Sequence, residues 1–269
     1  MKLQMVARLY ISAVRCAGHA IISFEKAGRE PPQRTEITRG DRSPGTPEKA
    51  TDVGTVIPLG DASRRGRRFA WMTALIIAAN AYVFLRELEG GDAFVDRWAV
   101  IPAQITSGHG WITIFTGMFM HAGWLHILGN MVFLWAFGPA IEDAMGPIRY
   151  LAFYLMGGVV AMLAQVAGSP GSTVPCLGAS GAIAAVMGAF IVTYPRDRIR
   201  TLVWILIIIR VTYIPAVVLI GVWFLIQLLS VGSVANVQTG GVAYLAHVGG
   251  FVFGVLTARL WRRRTAYSY

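Results

Sequence analysis

The stretch from Val174 to Phe190, V-P-C-L-G-A-S-G-A-I-A-A-V-M-G-A-F, sets one hydroxyl, Ser180, between Gly178 and Gly181 at the head of an apolar run. At a helix start the unsatisfied backbone N–H groups and the positive end of the dipole favour a developing anion. The glycines let another backbone come close. A G-x-S-G quartet by itself is a common product of small-residue runs. What makes Ser180 a candidate nucleophile is the company that other segments bring to it.

A serine is a poor nucleophile at its own pKa and is ordinarily activated by an adjacent imidazole. The segment A-H-V-G-G-F-V-F-G offers one, His247, followed by Gly250 and Gly254 at a spacing that permits close helix approach. Ser180, Ala184 and Gly188 form a second small stripe. Packing the two stripes together is expected to bring Ser180 and His247 within hydrogen-bond reach. No Asp or Glu in an apolar segment is suited to orient His247, which favours a Ser–His dyad over a triad.

The segment H-A-G-W-L-H-I-L-G-N, from His121 to Asn130, places His126 and Asn130 four apart on one helix face, with His121 off it. Two neutral donors aimed at a serine suit an oxyanion, whose charge they stabilise without an ion. A metal centre is not expected, since neither the H-E-x-x-H spacing nor a carboxylate ligand is present, and no cofactor is called for. Each polar residue alone reads as a buried pin bonding a neighbouring carbonyl, although ionisable groups inside a membrane are functional suspects. Four at matched depth, beside two close-packing stripes, argue for a site.

The elements that must hold them are membrane spans. The chain is 55% hydrophobic and 14% charged, with a mean hydropathy of +0.56. That excludes an ordinary soluble domain and points to an all-α polytopic membrane protein. Six apolar segments, 69–85, 124–141, 150–167, 177–194, 211–229 and 242–261, each come close to the ~20 residues a bilayer needs. A further piece, 202–209, is too short to span and reads as an interfacial strand or the splayed start of the fifth helix.

Of the 24 Lys and Arg, 13 fall within residues 1–68. Beside spans, such a basic tail reads as attraction to anionic lipid and control of topology rather than nucleic-acid binding. Residues 1–24 are expected as an amphipathic, interfacial helix, with an organellar transit peptide as the alternative. Residues 25–68 are expected as a disordered basic cytoplasmic linker, 69–261 as the six-span domain and 262–269 as a cytoplasmic tail. Arginines at 64, 65, 67 and 68, at 149, at 196, 198, 200 and 210, and at 259 and 262–264 all fall on one side of six spans. The positive-inside rule puts both termini in the cytoplasm and Ser180, His247, His126 and Asn130 toward the outer leaflet. Cys16 and Cys176 then lie on opposite sides and cannot pair within one chain.

Taken in order on spans two, four and six, H-x-x-x-x-H-x-x-x-N, G-A-S-G and A-H-x-x-G-x-x-x-G resemble the rhomboid family of intramembrane serine proteases. The run Glu142–Asp143–Ala144–Met145–Gly146, with Arg149 and Tyr154, resembles the family's connection between spans two and three. The resemblance covers roughly residues 69–261 and implies a six-transmembrane-helix rhomboid-like bundle. It implies Ser180 as nucleophile, His247 as general base and then acid, and an oxyanion hole from the Ser180 backbone N–H with the side chains of His126 and Asn130. It also implies that Gly178 gives the backbone approach and that His121 has a structural role, with Gly181, Gly250 and Gly254 supporting the site. Two residues depart from the family pattern. Trp111-Ile112 stands where the family often has Trp-Arg, and Ala184 stands where many members carry an aromatic that stacks on the histidine. His247 must then be held otherwise, for which the Gly-rich stripes are the candidate.

The expected activity is hydrolysis of transmembrane protein substrates through an acyl-enzyme, in a lipid bilayer, with the fifth span (Trp223, Phe224) as a candidate gate. The expected setting is the bacterial inner membrane, with an organelle as the alternative. The alternative is a non-catalytic rhomboid-like protein that binds membrane helices, although such members typically lack the serine or the histidine. A transporter would place its polar site at the bilayer centre.

Overall fold

The computed structural model describes residues 55–63, 69–205, 208–234 and 243–262. The helix expected over residues 1–24, Cys16 and residues 263–269 lie outside these. By compactness the chain falls into two units, Met1–Val56 with Val203–Arg210, and Ile57–Leu202 with Val211–Tyr269. The described residues of the smaller unit are all strand residues. The larger unit holds every described helix and every candidate site residue.

Helix α1 (Trp71–Trp98) runs well past the expected end at residue 85. The added turns, R-E-L-E-G-G-D-A-F-V-D-R, are polar, so an apolar-run criterion stops short of them. The first of them, Arg86, Glu87, Leu88 and Glu89, are nevertheless good helix formers, and Arg86 pairs with Glu89 one turn on. The helix kinks at Gly91, whose φ is 57°. Its N-terminus begins at Ala70, which supplies no side-chain cap. Glu142 supplies it from another helix. Its carboxylate accepts the backbone N–H of Met72 (3.0 Å) and Thr73 (2.8 Å) and the Thr73 hydroxyl (2.7 Å). A buried carboxylate is tolerated there because orphan donors and the positive dipole end surround it.

Residues 99–123 form short helices α2 (Pro102–Thr106) and α3 (Thr113–Thr116) and a 3-10 turn, Gly117–Phe119. Ile114, Met118 and Met120 anchor this segment in the core, while Trp111 and Ile112 face outward. The departure at Ile112 therefore falls on an exposed position. Helices α4 (Trp124–Met145) and α5 (Pro147–Gly168) follow. Gly146 (φ 80°) ends the first and Pro147 opens the second, the pairing expected of a left-handed stop and a preset N1 position.

Helix α6 (Ser180–Thr193) is the centre, with every residue from Gly181 to Phe190 buried. At about 1.5 Å per residue it is about 21 Å long, short of a ~30 Å hydrocarbon core. Strands β1 (Thr55–Asp61), β2 (Arg198–Ile205) and β3 (Ile208–Pro215) form a sheet in the order β1-β2-β3. Pro58 sits on an edge strand, the place in a sheet that tolerates a missing N–H. β1 falls inside the stretch expected as linker, and the described residues of 202–209 lie in the two strands, as the strand reading of that piece expects. The fifth apolar helix, α7 (Ala216–Val234), accordingly begins five residues later than expected, and α8 (Tyr244–Trp261) closes the described chain.

Three described helices, α1, α4 and α5, are long and apolar enough to cross a membrane, and α6 and residues 216–231 are apolar but shorter.

Candidate active site

Helices α6 and α8 meet almost backbone to backbone. A Cβ at Gly250 would strike the carbonyl oxygen of Gly181, and one at Gly254 that of Ala185. One at Gly188 would strike the carbonyl of Phe251, and one at Gly181 would lie 2.5 Å from the Ala161 Cβ on α5. The contacting stripe on α6 is therefore Gly181, Ala185 and Gly188: Gly188 is as expected, and the other two stand one residue on from the expected Ser180 and Ala184. That rotation has a consequence: Ser180 is not spent in the helix contact but turned beside it, toward His247.

Ser180 Oγ and His247 Nε2 are 2.6 Å apart. On the far side of the ring, Nδ1 is 2.7 Å from Gln227 Oε1. An amide oxygen only accepts, so Nδ1 carries the proton, and Nε2 is left with the lone pair that accepts the Ser180 O–H. The Trp223 ring lies 5.7 Å from the imidazole, centroid to centroid. The glycine stripes bring His247 to the serine, but the ring is held by α7, contrary to the expectation that the stripes do both.

Gly178, with φ 135°, precedes the helix. Its N–H donates to the Gly117 carbonyl at 2.9 Å, and Cys176 pairs with Val100 through bonds of 2.7 and 3.0 Å. The approach to Ser180 is thus tied to the 99–123 segment. A Cβ at Gly178 would lie 3.1 Å from His126 Nε2, so glycine here leaves room for the imidazole. His126 Nδ1 accepts the Ala122 N–H at 3.3 Å, which leaves the proton on Nε2, on the side of Gly178. One turn on, Asn130 is buried, and its Nδ2 has no acceptor among the described residues. His121 is buried beside His126, ring centroids 5.1 Å apart, and its backbone N–H donates to Glu87 at 2.9 Å. Burial, aided by His126, holds the His121 imidazole down at about 3, so it is neutral. Trp223 and Phe224 pack inward on α8, with Phe224 stacked on Phe251 at 4.1 Å.

The family model described as "Rhomboid domain" matches residues 108–264, more than half of the chain. The chain belongs to the rhomboid family. It is accordingly a polytopic, membrane-embedded protein. It is 29% identical over 194 residues to "Rhomboid protease GluP" of Bacillus subtilis, which covers 69% of this chain and 34% of that protein. To "Rhomboid-like protease 5" of Toxoplasma gondii it is 31% identical over 147 residues, 52% of this chain and 15% of the relative. To "Presenilin-associated rhomboid-like protein, mitochondrial" of Homo sapiens it is 26% identical over 146 residues, 51% and 34% respectively. The chain spans about a third or less of these three relatives' own length.

Ser180 meets His247, Gly178 borders both His126 and Ser180, Gly181 meets Gly250 and His121 packs on His126, while Gly254 sits deeper in the helix contact; Glu142, singled out with the connection between spans two and three, instead caps α1. Gln227 was missed. Its signal was present, since it breaks the apolar run of α7, and a polar side chain inside a span is suspect by default.

Proposed function

We propose that this rhomboid family member is an intramembrane serine endopeptidase acting on transmembrane segments of other membrane proteins. The observation that carries the reading is the 2.6 Å contact between Ser180 Oγ and a His247 Nε2 whose lone pair faces it. In the reaction, Oγ attacks the scissile carbonyl as its proton passes to Nε2. The imidazolium then protonates the leaving amine, and water deacylates Ser180 with the histidine again as base. The oxyanion is received by the Ser180 backbone N–H, which has no partner in its own helix, by His126 Nε2–H and by Asn130 Nδ2. The space beside Gly178, bordered by His126 Nε2 and Ser180 Oγ, suits that oxygen. No metal or cofactor takes part in this scheme.

Six spans, with both termini on the cytoplasmic side, fit the arginine clusters. A buried α6 of 14 residues, shorter than a bilayer core, supports the reading that Ser180 lies below one membrane surface, toward the outer leaflet. A substrate peptide bond at that depth belongs to a membrane protein and must leave its helix to be cut, so helix breakers near the cut are expected. Similarity does not favour a bacterial inner membrane, because several relatives are named as mitochondrial.

The test is cleavage in proteoliposomes of a panel of single-span reporters carrying Gly or Pro within the span. Reporters cut within the span by the wild type and left whole by Ser180→Ala support the proposal. Reporters captured but left whole by the wild type favour the helix-binding alternative.

A further inference from the structure

Within residues 216–231 the side chains are apolar or aromatic except Gln227 and Ser230. Gln227 is 4% exposed, and a buried amide is costly unless hydrogen-bonded. Its Oε1 meets His247 Nδ1 at 2.7 Å. Trp223, one turn earlier on the same face of α7, lies against the same imidazole. On α6, Ala184 is fully buried and offers only a methyl group.

We propose that Gln227 is the positioning residue of this site: its Oε1 accepts the Nδ1–H hydrogen bond of His247 and, with Trp223 against the ring, holds Nε2 toward Ser180. The inference rests on the serine-protease reading above. When the serine O–H breaks and Oγ bonds to the acyl carbon, the proton goes to Nε2 and the positive charge spreads to Nδ1–H. The amide dipole faces that charge, while the Nδ1 proton stays on the ring. A carboxylate would face it more strongly, but an isolated buried carboxylate is expensive in an apolar site. An amide gives the acceptor without the charge.

The test uses the full-length protein in detergent and a fluorophosphonate, with labelling of Ser180 followed in time. Gln227→Leu removes the acceptor at similar volume, and Gln227→Glu keeps an oxygen there. The inference expects the limiting labelling rate of Gln227→Leu to fall by about tenfold or more, with the half-saturating probe concentration unchanged. It expects Gln227→Glu to recover most of that rate. In 15N-histidine spectra, the Nδ1-protonated signal of His247 is present in wild type and Gln227→Glu and is lost or mixed in Gln227→Leu. Wild-type rate and tautomer in Gln227→Leu overturn the inference, as do equal losses in both variants with the tautomer unchanged. A wild type that labels no faster than His247→Ala overturns the underlying dyad, and that control tells the two failures apart.

Discussion

Gly178 and His126 meet where a side chain would crowd the imidazole. A Cβ on Gly178 would lie 3.0 Å from Cε1 and 3.1 Å from Nε2 of the imidazole, and 3.6 Å from Ser180 Oγ. The φ of 135° there is itself foreign to residues with a Cβ. Gly178→Ala is therefore expected to push His126 away from the serine and slow phosphonate labelling by about tenfold or more. Labelling kinetics on folded protein check this, and a wild-type rate would mean that the space beside Gly178 is not used.

Asn130 is a buried donor with no acceptor among the described residues, as the proposed oxyanion role requires. Asn130→Ala is expected to cut the rate of reporter cleavage by about a hundredfold with little change in melting temperature. If the amide were only a structural pin, melting would fall and the rate per folded molecule would hold.

The contact of α6 with α8 fixes the distance between serine and histidine. Gly254→Ala would drive a methyl into the Ala185 carbonyl and is expected to cost about 1–3 kcal/mol. It should also slow labelling, because α8 carries His247. Leu256→Ala, on the exposed face of the same helix, should stay within about 0.5 kcal/mol. Thermal melts in one detergent compare them.

Glu142 separates stability from chemistry. Glu142→Ala leaves two backbone N–H groups and the Thr73 hydroxyl without their acceptor and is expected to cost at least about 2 kcal/mol. The Ser180 labelling rate of the folded fraction should not change.

His121 gives stability a pH dependence of definite sign. Its folded value, about 3, lies below the ordinary value near 6.5, so between them the unfolded chain binds the extra proton. The contribution is fully present above about 6.5 and is lost as pH falls toward about 3. His121→Asn should flatten the fall in melting temperature over that window.

Much of this site was legible because its parts are local. A serine at a helix start, two residues four apart on one face and small residues at four-residue spacing are visible in one dimension. The rest depended on rotation and partners. Whether Ser180 or Gly181 enters the helix contact turns on one residue of register, and only the backbone approach at Gly250 decides it. Gln227 could not be paired with His247 by spacing, because the two lie on different helices. The end of α1 was misjudged because polarity begins at Arg86 before the helix stops. The strands 198–205 and 208–215 lie in a stretch whose hydrophobicity suits a span start as well as a hairpin.

The central claim is that His247 activates Ser180. The measurement that tests it most directly is to treat the purified protein with a fluorophosphonate at neutral pH and map the adduct by mass spectrometry, beside Ser180→Ala and His247→Ala. A single adduct on Ser180, lost in both variants, is predicted. A folded wild-type protein that takes no adduct, or one that His247→Ala labels equally well, would contradict it.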